Sequence, residues 1–226
     1  MAKKPEEFES PSALEDFYVS TAEFPAGFMT QYQPSMIVGP DIHQSLAAGF
    51  PIGKRFTSAR VARVADGNDV HLGHHHRADG RWRVYAFADA AHPGEPSAVA
   101  DWADWMATAP ESPLARYTPQ GSDPDSVLEI KVVYQQRHGE IDLGAVPALF
   151  LPKVGPFELT DYEKVYAVAP EDDIFELRGI DRAAGCVVVV RPDQYVANVL
   201  PLTATAELAV FFAQFLLPVT VPAIAG

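Results

Sequence analysis

Five consecutive apolar residues, Cys186 to Val190, four of them valine, constrain this chain more than any other stretch in it. A strand with one wet face alternates polar and apolar residues, whereas an unbroken β-branched run suits a strand covered on both faces. Arg182 to Gly185 supplies a turn before the run, and Arg191-Pro192-Asp193 supplies a tight turn after it. Tyr195 to Leu200 then resumes as an extended segment that pairs back, and Pro201 ends it. Thr203 stands where a helix N-cap belongs, with Glu207 in the first turn to complement the helix dipole. Leu208, Phe211, Phe212, Phe215 and Leu216 fall on one helical face, and Pro218 stops that helix.

Upstream segments read as the layers and neighbours this hairpin needs. Arg81 to Ala88 alternates, with Trp82, Val84, Ala86 and Ala88 on one side and Arg81, Arg83, Tyr85 and Phe87 on the other. Asp89 to Pro93 leads into a helix with Pro96 in its first turn, where Val99, Trp102, Ala103 and Met106 form a core-facing stripe. A polar connection, Ser112 to Pro124, precedes a strand over Val127 to Tyr134, which lies parallel to the first through a right-handed crossover. Arg60 to Ala65 and Val70 to Leu72 are short strand candidates around a turn at Asp66-Gly67-Asn68. Residues 137–173 read as a long irregular insertion, and Ile174 to Arg178 as the strand that restarts the sheet. Residues 1–40, punctuated by prolines, read as an extended arm with a helical turn near Ser12 to Val19. Phe17, Tyr18, Phe24, Phe28, Tyr32, Met36 and Ile37 are too apolar to leave in water, so the arm should pack on something. The expected organisation is an arm at 1–40 and one α/β domain at 41–220, with a mostly parallel, partly antiparallel sheet flanked by helices.

Several of these segments carry a resemblance. Gly179-Ile180-Asp181-Arg182, the valine run, Arg191-Pro192-Asp193-Gln194-Tyr195-Val196 and the phenylalanine-rich helix together resemble the end of the phenol hydroxylase family of FAD-dependent aromatic monooxygenases, 3-hydroxybenzoate hydroxylases included. Phe24-Pro25-Ala26-Gly27 with Tyr32, Pro34 and Ser35 resembles the family's link between flavin body and C-terminal domain. Gly49, Phe50, Pro51, Gly53 and Arg55 match its pattern too, as does Asp161 to Val165. The resemblance implies a C-terminal thioredoxin-like dimerisation domain, with Gly27, Tyr32, Gly49, Pro51, Gly53, Arg191, Pro192, Asp193 and Tyr195 in structural roles. It also implies that FAD and NAD(P)H serve the parent family and not this chain. In a thioredoxin fold the redox cysteines sit at the first strand-to-helix junction, which here runs from Asp89 to Pro96 and has none.

Charge and residue inventory narrow the function further. A net charge of -13 would be repelled by a phosphate backbone or an anionic membrane, so neither nucleic acid nor membrane is an expected partner. The single cysteine cannot form an internal pair, and with no apolar signal core in the polar start the chain is expected to be cytoplasmic. Cys186 opens a buried run and reads as a small core residue instead of a nucleophile. Asp69, His71, His74, His75 and His76 invite a metal reading, but their spacing fits no closed zinc pattern and a solvated strand end is the plainer account. Arg191-Pro192-Asp193 could present a charged pair to a ligand, but a structural turn made by Pro and Asp is the favoured account. Glu171, Asp172 and Asp173 read as a solvated turn. The stretch Gly49 to Arg55 lacks the spacing of a phosphate loop, and no G-x-G-x-x-G turn that would open a flavin site occurs anywhere in the chain. The expected function is a non-catalytic dimerisation and support domain, a homodimer able to serve a flavin-binding hydroxylase body. The alternative is a freestanding thioredoxin-fold protein that encloses a small aromatic ligand between arm and insertion. A redox enzyme of that fold comes third, opposed by the lone cysteine.

Overall fold

The computed structural model describes residues 28–219. The helical turn expected near Ser12 to Val19, the apolar groups Phe17, Tyr18 and Phe24, and Gly27 lie outside the described residues.

A seven-stranded mixed sheet runs through the molecule. Its strands are β1 (Arg60–Arg63), β2 (Asp69–His71), β3 (Trp82–Phe87), β4 (Leu128–Tyr134), β7 (Val165–Val168), β8 (Cys186–Val190) and β9 (Val196–Leu200). They are ordered β2-β1-β7-β4-β3-β8-β9, and a separate hairpin pairs β5 (Lys153–Val154) with β6 (Leu159–Thr160). Parallel pairing is confined to β3 with β4 and β4 with β7. The other neighbours pair antiparallel, so the sheet is mixed and not mostly parallel. The quartet β4-β3-β8-β9, a parallel pair joined to an antiparallel hairpin and closed by a helix, is the thioredoxin-like core.

The valine run sits where its composition demands. β8 lies between β3 and β9 and is buried along its whole length. Val187 and Val189 join the core on one face with Trp82, Val84 and Ala86, under α1 (Ala98–Thr108) and α4 (Thr205–Ala213). Cys186, Val188 and Val190 join the second core with Tyr85, Phe87, Phe50 and Phe56. On that second face the cover comes mainly from the irregular segment 38–56 together with α3 (Ile174–Leu177). Helices cover one face and a shaped loop most of the other.

Local chemistry explains where the elements start and where sequence expectation goes astray. α1 buries the expected stripe Val99, Trp102, Ala103 and Met106, but it begins after Ser97, whose Oγ accepts the Ala100 N–H at 3.2 Å, leaving Pro96 outside the helix. Within Ser112 to Pro124 a short helix, α2 (Pro113–Tyr117), forms because Ser112 caps it and Pro113 fits the first turn. Ile174 to Arg178 is not a strand: the Asp173 carboxylate accepts the Phe175 N–H at 2.9 Å and nucleates α3. Asp173 is thus a cap, and also pairs with Arg182, not merely a solvated acid. α4 starts from Ala204 without a side-chain cap, because the chain leaves Pro201 in a turn that shifts the helix one residue past Thr203. Residues 137–173 are not irregular throughout. They include the β5–β6 hairpin and β7, a fully integrated strand between β1 and β4.

Candidate functional site

The position that carries chemistry in a thiol-active fold of this kind is the loop after β3. Here Asp89 accepts the Ala98 N–H at 2.8 Å through Oδ2 and serves the start of α1. Cys186, across the sheet at the start of β8, is 0% exposed, and burial pushes its thiol pKa far up, so the sulfur stays protonated and shielded. No thiolate is available at this junction.

Most of the residues singled out by resemblance meet at one place, the docking of the arm on the β8–β9 turn. The Tyr32 N–H donates to the Gly53 carbonyl at 2.9 Å, and the Gly53 N–H donates to the Val196 carbonyl at 2.8 Å. The Tyr32 ring meets Tyr195 edge-on at 4.8 Å, and the Arg191 guanidinium lies over Tyr32 at 4.6 Å. Arg191 is held by a two-pronged contact with Asp193, its Nε donating to Oδ1 at 3.0 Å, in the turn that Pro192 opens. Gly49 donates to the Arg178 carbonyl at 2.8 Å, and Pro51 accepts from Lys54 in the same covering loop. Gly27 alone falls outside the described residues.

Beside this docking lies a cavity of about 450 Å³ lined by Phe28, Arg55, Phe56, His74, His76 and Arg178 among others. His76 bonds the Tyr85 hydroxyl, and its pKa is lowered to about 4 by burial, with Lys131 and Arg83 adding to the effect. His71 and His74 stand ring to ring at 4.8 Å. Among the described residues no three His, Cys, Asp or Glu side chains gather as a metal site would require.

Further along the same sheet face is an ion network that the sequence reading missed. Glu129 accepts from Arg83 Nε at 2.7 Å and Lys164 Nζ at 2.5 Å, and Lys131 Nζ stands 3.1 Å from it, all four groups being buried. Burial works to raise the Glu129 pKa, yet Lys131, Lys164 and Arg83 overcome it and hold the carboxyl at about 2. Burial lowers Lys131 to about 8 against the opposing pull of Glu129. A polar cavity of about 520 Å³ opens over this network. The signal was present: Glu129 and Lys131 are two apart on one strand, and Arg83 is Glu129's partner in the β3–β4 register. Among the described residues no helix is long and apolar enough to cross a membrane.

The core topology defines a thioredoxin-like domain whose first strand-to-helix junction, Asp89 to Pro96, carries no cysteine. Residues 30–220 match the family model described as phenol hydroxylase, C-terminal dimerisation domain, and the chain belongs to that family. It is 44% identical over 210 residues to a 3-hydroxybenzoate 4-monooxygenase of Comamonas testosteroni, covering 91% of this chain and 33% of that protein. Against an FAD-dependent monooxygenase, terD, of Aspergillus terreus the identity is 29%, covering 89% of this chain and 34% of the other. The chain thus spans about a third of the length of the curated relatives it matches. Among solved structures, a thiol:disulfide interchange protein from Bacteroides sp. superposes with a TM-score of 0.43 at 13% identity, covering 74% of this chain and 91% of that one.

Proposed function

We propose that this chain is a non-catalytic self-association and support domain for a flavin-dependent aromatic hydroxylase, binding neither FAD nor NAD(P)H itself. The family match over residues 30–220 carries this reading. The activity named for its relatives needs a flavin to activate oxygen and a nicotinamide to reduce it, and the dinucleotide turn that would hold the first is missing from the sequence. Tyr32, Gly53, Arg191, Asp193 and Tyr195 then act structurally, pinning the arm and covering segment to β9. Self-association draws support from apolar groups exposed among the described residues: Ile42 is 73% exposed and Val210 64%, on a groove between residues 40–43 and α4. A two-fold dimer that covers such a patch on both copies is the economical arrangement. A flavin-binding body is the proposed further partner, and the compartment is the cytoplasm. With a net charge of -13, nucleic acid and anionic lipid are poor partners.

Sedimentation equilibrium at micromolar concentration tests the reading. A mass of twice 24.6 kDa is expected, with a colourless protein showing no flavin absorbance. A monomer mass throughout, or stoichiometric flavin, would overturn it.

A further inference from the structure

In a chain with thirteen excess negative charges, the cavity beside the arm is an exception. Two guanidinium groups, Arg55 and Arg178, and two imidazoles, His74 and His76, line it, and among the described residues no carboxylate does. Neither arginine is ion-paired with any described residue. Arg178 donates from Nη2 to the Ser58 carbonyl at 2.7 Å and stands 5.9 Å over the Phe50 ring, but its buried Nε has no hydrogen-bond partner among the described residues. A buried donor of this kind ordinarily has an acceptor, and leaving a guanidinium half-buried without a counter-charge is costly. Burial lowers the Arg178 pKa. Arg55 donates to the Gln194 side chain at 3.1 Å and lies 5.9 Å from the Phe28 ring, so its partners among the described residues are neutral.

The apolar part of the wall is aromatic. Phe56 is fixed in place by stacking on Phe50 at 4.8 Å and on Tyr85 at 5.0 Å, while Phe28 is 40% exposed at the rim. A cavity of about 450 Å³ falls within the range of small-molecule sites and exceeds what a bare inorganic ion fills. Its chemistry is a planar cationic fork above a flat apolar wall.

We infer that this cavity binds a small organic monoanion, a carboxylate with a flat apolar body, whose charged head is held by Arg178 in the field of Arg55 and whose body lies on the Phe28 side. This goes beyond self-association and does not depend on it, because every group named belongs to one copy of the chain.

Titration calorimetry of the 226-residue chain with benzoate, benzamide and inorganic phosphate as probes tests the inference. Benzoate should bind once per chain, at least about tenfold more tightly than either benzamide, which lacks the charge, or phosphate, which lacks the body. Arg178→Gln should weaken benzoate by about tenfold or more, and Arg55→Gln by a smaller factor. Because Arg178 also braces Ser58, the more exposed Phe28→Ala variant gives an independent reading and should weaken benzoate while leaving phosphate unchanged. Absence of benzoate heat up to about 10 mM would overturn the inference, as would binding that Arg55→Gln and Phe28→Ala leave untouched. Phosphate binding as tightly as benzoate would overturn the assignment of an apolar body. The oligomeric state is read separately by sedimentation, so failure here leaves the dimer proposal standing.

Discussion

Single side chains in β8 show how far burial on two faces determines what is tolerated. Val188 is fully buried in the loop-covered core beside Tyr85, its partner in register. Val188→Asp places a carboxylate in that apolar interior, at a cost of several kcal/mol against a total stability of about 5 to 15. That variant should be largely unfolded by circular dichroism at room temperature. Cys186 is equally buried, yet Cys186→Ser keeps the volume and adds a hydroxyl that can find a backbone acceptor, so a loss of about 1 to 2 kcal/mol with association retained is expected. A Val188→Asp protein that melts within a degree or two of the parent would contradict the buried placement of β8. The five-residue run made this position readable in advance. Arg178 was not, because nothing in its neighbours distinguishes an unpaired guanidinium from a solvated one; only the fold brings Ser58, Phe50 and His76 around it.

At the scale of elements, length decided what could be read. β3, β4 and β8 are five to seven residues long with an alternating or unbroken apolar pattern, and each lies within a residue or two of its expected bounds. β7 and α3 have four residues each, too few for a repeating pattern to stand out, and what makes them is non-local for β7 (pairing with β1 and β4) and a single cap for α3. The docked arm was readable mainly through resemblance, since its contacts join residues well over a hundred positions apart, as Tyr32 and Tyr195 do. Gly53 is the residue on which that docking turns. Its φ of +81° is one that L side chains resist, and an added Cβ would stand 2.1 Å from the Tyr32 carbonyl oxygen. Gly53→Ala should therefore lower the melting temperature and speed proteolytic cleavage between Phe28 and Val38. Gly80→Ala, at a similar φ of +78° but with open space around it, should carry the backbone penalty alone and leave the cleavage rate unchanged. Equal cleavage rates in the two variants would mean that the arm is not held through Gly53.

For the whole molecule, one sheet face combines an apolar half with a buried ionic half, and this sets how stability responds to acid. His76 has its folded pKa lowered to about 4 from an ordinary 6.5, so the unfolded chain binds the extra proton between those values. Its contribution is complete above about pH 6.5 and is lost as pH falls toward 4. Glu129 is held at about 2 against an ordinary 4.5, so what it contributes is complete above pH 4.5 and is lost as pH falls toward 2. Both carry the same sign, and their windows follow one another. The melting temperature should therefore be level from about pH 8 to 6.5 with respect to these groups, decline from 6.5 to 4, and go on falling below 4.5 as Glu129 takes up a proton and loses its charge against Arg83 and Lys164. His76→Gln keeps a polar partner for the Tyr85 hydroxyl but cannot titrate, so it should flatten the first decline and leave the second in place. Melting curves of the parent and this variant between pH 8 and 3 check the assignment. If the two decline in parallel between 6.5 and 4, the proton taken up on unfolding belongs to another group and His76 is not buried as described; if the further fall below 4.5 is missing in both, the ionic half of the face is solvated and contributes nothing to the fold.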